Sequence, residues 1–150
     1  GPHRPSSEWR FHAAIYKERA DIHSVVHSHS TYATAMSMLR RDIPSVHYMI
    51  GIFGGDSVRC ADYAHYGSQA LSANALAALK DRTGCLFGTH GMIACGGDLK
   101  QALWRAGELA ALCQQYHFAC SIGEPHVLTG KQVVEVRERM ETGYGVCRKA

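Results

Sequence analysis

The chain has 150 residues, 46% hydrophobic and 19% charged, with a formal net charge of +3. That is one domain's worth of an ordinary globular protein, and no apolar run approaches the roughly 20 residues needed to cross a bilayer. Its basic residues are scattered, with Arg40-Arg41 and Arg148-Lys149 the only adjacent pairs, which argues against a nucleic-acid surface.

In chain order, Ser6-Ser7 ahead of Glu8-Trp9-Arg10-Phe11 predicts a capped helix start, with the helix running to about Arg19. Ser24 to His29 is a short strand rich in β-branched residues. Thr31 to Leu39 is helical, Ser45 to Met49 is a second strand candidate, and Gly54-Gly55-Asp56 signals a turn. Ser68 to Lys80 predicts a helix with Leu71, Ala75, Leu76 and Leu79 on one face. Cys85 to Gly88 and Met92 to Cys95 are apolar strands flanking Thr89-His90-Gly91. Asp98 caps the longest helix, in which Leu99, Ala102, Leu103, Ala106, Leu109, Ala110 and Cys113 recur at helical spacing. A last helix spans Gly130 to Glu141, before the tail Gly143-Tyr144-Gly145. Strands interleaved with helices predict a single α/β domain over residues 1–150, its sheet covered by helices.

The cysteines, Cys60, Cys85, Cys95, Cys113, Cys120 and Cys147, have wide, irregular spacings and no C-x-x-C. Cys113 and Cys120 are expected on one helix face as reduced core residues. Free thiols, and no apolar stretch behind Gly1-Pro2-His3-Arg4, lead us to expect a cytoplasmic protein without a secretory signal.

His27-Ser28-His29 carries the sharpest local chemistry. Side chains two apart on a strand share a face, so two imidazoles can reach one ion; two solvated histidines would give the same pattern. His90 follows an apolar strand and precedes Gly91, which permits close approach of backbone or ligand. Three imidazoles with a carboxylate or an open position form a recurrent catalytic zinc set. Glu8 is the candidate carboxylate, although an acidic residue in a first helical turn is also ordinary capping chemistry. Ser6, Ser7 and the helix N-terminus would suit a phosphate.

Four blocks occur together: Pro5 to His12, the H-x-H, Ile43-Pro44-Ser45-Val46-His47-Tyr48-Met49-Ile50, and His90-Gly91-Met92-Ile93-Ala94-Cys95. In this order and spacing they resemble the class II aldolase/adducin family, and the likeness continues through Ala102-Leu103-Trp104 to Tyr144. The resemblance implies a three-layer fold around a mostly antiparallel sheet, and one Zn2+ per chain held by His27, His29, His90 and Glu8. Glu8 would double as acid/base, Ser6 and Ser7 would hold a substrate phosphate, Tyr48 would enter a neighbouring subunit's site, and Tyr144 would close over the aldehyde. The implied activity is reversible cleavage of a ketose 1-phosphate, such as L-fuculose 1-phosphate, into dihydroxyacetone phosphate and an aldehyde such as L-lactaldehyde. The implied assembly is a homotetramer with intersubunit sites, with neither nucleic acid nor membrane as partner. Family members also carry an earlier segment with Gly-Asn-x-Ser and Thr-x-x-Gly motifs; no Gly-Asn dipeptide occurs in this chain, so an N-terminal part is expected to be missing. The same scaffold serves sugar-phosphate epimerases, with Asp in place of Glu8, dehydratases, and non-catalytic adducin-like assembly domains.

Overall fold

The computed structural model describes residues 2–143. Tyr144 and Cys147 lie outside the described residues.

Four strands form the central sheet, in the order β1-β6-β5-β4. β1 (Ser24–Ser28) pairs antiparallel with β6 (Gly91–Gly96), which pairs antiparallel with β5 (Gly84–Phe87), while β4 (Cys60–Ala61) joins β5 in parallel. A separate antiparallel ribbon pairs β2 (Ile43–Pro44) with β3 (Ser57–Val58). The expected mostly antiparallel sheet is therefore present, with one parallel pair at its edge.

Both faces of the sheet are buried. Period-2 alternation sends Leu86, Met92 and Ala94 into one core cluster and Cys85, Phe87, Ile93 and Cys95 into the other. On the first side lie α2 (Thr31–Met38), α4 (Leu99–Ile122), α5 (Gly130–Gly143) and a 3-10 helix, Tyr48–Phe53, contributing Ala33, Met36, Ile50, Phe53, Leu109, Cys113 and Val133. On the second lie α1 (Trp9–Glu18) and α3 (Gln69–Ala78), contributing Phe11, Ile15, Leu71 and Ala75. Phe11 and Ile15, four apart, form the inner stripe of α1. The three layers are helices, sheet, helices.

Three sequence expectations change. Ser45 to Met49 is not a strand: the Ser45 carbonyl accepts the Leu128 N–H and the Ser45 hydroxyl donates to the Leu128 carbonyl, while the His47 ring accepts the Met49 N–H and starts the 3-10 helix. Ser6 and Ser7 do not cap α1; Glu8 occupies the N-cap position, and the Ser6 hydroxyl accepts the Glu8 N–H at 3.2 Å. On α4, Cys113 is buried but Cys120 is exposed, and Leu99 and Leu103 also face outward. By contrast, Asp98 and Ser68 act as side-chain caps, accepting from Gln101 N and Leu71 N.

Candidate metal centre

His27 lies on β1 and His29 directly follows its last residue, and the β5–β6 turn carries His90. The β1–β6 register sets Ser28 opposite Met92, which brings that turn alongside the H-x-H. Gly91 makes the approach possible: a Cβ there would stand 2.6 Å from the Ser28 carbonyl oxygen and 2.8 Å from the His29 ring. His90 is reached through Thr89, a non-glycine residue at φ 56°. That backbone is tied down by Ser37, whose carbonyl accepts the Thr89 N–H at 3.0 Å and whose hydroxyl accepts the His90 N–H at 3.2 Å.

Glu8 arrives at the start of α1, the helix that packs on the face of the sheet to which His27 points. The segment before it rests on Gly67, whose φ of +68° and missing side chain let Ser7 O come close. Arg10 Nη1 donates to the Gly67 carbonyl at 2.9 Å and locks the two segments together.

One potential ligand atom from each of Glu8, His27, His29 and His90 lies within 4.8 Å of the other three. His27 Nε2 stands 3.0 Å from His29 Nε2 and 3.2 Å from Glu8 Oε2, and His90 Nε2 is 3.3 Å from Glu8 Oε1. Four ligands tetrahedral about a zinc ion at about 2.0–2.1 Å would be separated by about 3.3 Å. His27 Nδ1 is 2.9 Å from the Met92 carbonyl oxygen, which fixes the proton on Nδ1 and leaves Nε2 as the lone-pair nitrogen facing the cluster. Glu8 Oε1 is buried with no hydrogen-bond partner among the described residues. Burial holds His27 and His90 below the usual imidazole value, opposed by Glu8 and reinforced by the neighbouring imidazoles. Neutral imidazole lone pairs and an orphaned carboxylate oxygen, all converging, fit a divalent cation.

Beside the cluster opens a cleft of about 530 Å³ lined by Ser7, Glu8, His29, Tyr63, Ala64, His65, Tyr66, Thr89 and His90. Tyr63 and His65 carry no sequence signal, because only the path of the loop after β4 brings them to the cleft. Ser7 reaches the wall, whereas Ser6 does not line it. Tyr48 stands apart, on the 3-10 helix, and lines a different cleft with α5. His12 stacks on Phe11 at 4.5 Å, and its pKa is lowered by burial and then by His27.

Residues 1–117 match the family described as Class II Aldolase and Adducin N-terminal domain. The chain belongs to the class II aldolase/adducin family. Within this family, the L-fuculose phosphate aldolase of Escherichia coli K12 is 46% identical over 143 residues, which cover 95% of this chain and 66% of that enzyme. The 5-methylthioribulose-1-phosphate/5-deoxyribulose-1-phosphate aldolase of Rhodospirillum rubrum is 44% identical over 145 residues, covering 97% of this chain and 65% of that enzyme. A solved L-fuculose 1-phosphate aldolase superposes with a TM-score of 0.91 at 37% identity, over 94% of this chain and 66% of that one. The chain spans just under two thirds of the length of these curated family relatives.

Proposed function

We propose that the chain carries the metal-binding half of a class II aldolase that reversibly cleaves a ketose 1-phosphate, such as L-fuculose 1-phosphate, into dihydroxyacetone phosphate and an aldehyde such as L-lactaldehyde. The convergence of Glu8 on His27, His29 and His90 carries this reading. The resident ion is zinc, one per chain, which when bound supplies Lewis acidity toward the carbonyl and hydroxyl oxygens of the substrate.

The chain's own groups do the rest. The imidazoles stay neutral and fixed, His27 by its bond to Met92. As the C3–C4 bond of the ketose breaks, the C4 hydroxyl gives up its proton and becomes the aldehyde, and C3 gains a proton. Glu8 delivers the proton to C3, and in the condensation direction removes it. Its position favours this role: it touches two imidazoles, lines the cleft, and is held by no cap or bridge elsewhere. Tyr48 from a neighbouring subunit exchanges the proton on the C4 oxygen, Tyr144 closes over the aldehyde, and Ser7 with Ser6 helps hold the phosphate. These roles require a homotetramer with shared sites. No helix among the described residues is long and apolar enough to cross a membrane, and we place the enzyme in the cytoplasm.

A carboxylate one methylene longer than the Asp of the epimerases favours the aldolase over that alternative, and the complete ligand set disfavours an adducin-like assembly role. Product analysis decides between them. The zinc-loaded protein incubated with a panel of ketose 1-phosphates should release dihydroxyacetone phosphate with an aldehyde. An epimeric or dehydrated sugar phosphate without dihydroxyacetone phosphate would overturn the proposal.

A further inference from the structure

A cavity of about 470 Å³ opens between the 3-10 helix, α4 and α5, with Thr83, Gln101, Trp104, Arg105, Arg137 and Met140 among its walls. It shares no residue with the cleft beside Glu8. It lies toward the Gly96 end of β6, where Arg105 is anchored, whereas His90 stands at the other end of that strand.

Two arginines on separate helices line this cavity, and neither forms an ion pair among the described residues. Arg105 is anchored through Nη1, which donates to the Cys95 carbonyl at 2.8 Å and to Gln101 Oε1 at 3.0 Å. Its Nε–H is buried and has no acceptor among the described residues. Arg137, half-buried on α5, forms no ion pair among the described residues. Glu141 also lines the wall, yet pairs with neither arginine.

Charged groups withdrawn from water without counter-ions are costly, and a ligand that supplies the missing charge recovers that cost. Guanidinium forks match the planar or tetrahedral oxygens of carboxylate and phosphate, whereas the indole and thioether walls suit an organic body. We propose that this cavity binds a small organic anion whose oxyanion group sits between Arg105 and Arg137. Two positive charges match a phosphate monoester dianion better than a single carboxylate, so phosphates bind more tightly.

The chain contains two tryptophans, so Trp9→Phe leaves Trp104 as a fluorescent reporter in the cavity wall. Titration of that variant with phenyl phosphate should give a saturable change, tighter than with inorganic phosphate or benzoate. Arg137→Gln and, separately, Arg105→Gln should each weaken binding about ten-fold or more, while Ser7→Ala, at the other cleft, leaves it unchanged. Arg137 is only half-buried and makes no hydrogen bond among the described residues, so its variant decides the matter even if Arg105→Gln does not fold. A response that never saturates, equal affinity in Arg137→Gln, or binding abolished by Ser7→Ala would overturn the proposal.

Discussion

At the scale of single residues, the site follows from where protons can and cannot go. His27 gives its Nδ1 proton to the Met92 carbonyl and turns a lone pair toward Glu8 and His29. The carboxylate is the group with two tasks in our proposal, and Glu8→Gln separates them. Gln keeps the shape and loses the base, so the variant should fold normally and exchange the C3 proton of dihydroxyacetone phosphate about a hundredfold more slowly, or worse. Exchange at the unaltered rate, followed by NMR in deuterated buffer, would remove Glu8 from the role.

The histidines also predict how the metal-free chain responds to acid. Burial, the largest cause in each case, lowers His12, His27 and His90 from the ordinary 6.5. The unfolded chain therefore takes up protons before the folded one as pH falls, and the difference favours unfolding. The contribution is fully present above pH 6.5 and is lost as pH falls through that value toward the lower folded-state values. Thermal melts of chelator-treated protein should show a lower midpoint at pH 5.5 than at 7.5. A midpoint that rises on acidification would contradict the assigned burial. The convergence of the histidines was legible in the sequence because H-x-H geometry and a strand-end histidine are local facts. Tyr63 and His65 were not, since a loop's tertiary path put them there.

At the scale of elements, the helices and the strands of four or more residues were readable and the two-residue strands were not. α4 shows its period in Ala102, Ala106, Leu109 and Cys113, and Asp98 marks its start. Leu99 and Leu103 fit the same period loosely and still face outward, because periodicity says which residues share a face, not how wide the covered stripe is. β2, β3 and β4 have two residues each, too few for any alternation to register. Ser45 to Met49 reads as extended by composition, yet so short a run is equally compatible with a tight helix. Pairing of Ser45 with Leu128 and the His47 cap decided the outcome. The Asp98 cap is testable in isolation: Asp98→Ala should cost about 1 kcal/mol in denaturant unfolding with its slope unchanged. No loss would mean that the Asp98–Gln101 bond contributes nothing in solution.

At the scale of the whole molecule, the sheet is a platform whose one end gathers four ligands from three places: β1, the β5–β6 turn and the start of α1. The three-layer architecture was implied by the family resemblance, and β5 and β6, buried along their whole length, are the strands it requires to be covered on both faces. How the remaining groups reach the site was not legible in the same way. Tyr48 is placed away from the cleft, and its proposed role needs another subunit, a relation no single sequence spells out. The metal, by contrast, needs only this chain. Calorimetric titration of zinc into the chelator-treated protein should find about one ion per chain, with binding lost or weakened at least tenfold in His29→Ala. Absence of binding, or the same stoichiometry and affinity in His29→Ala, would contradict a metal centre built from Glu8, His27, His29 and His90.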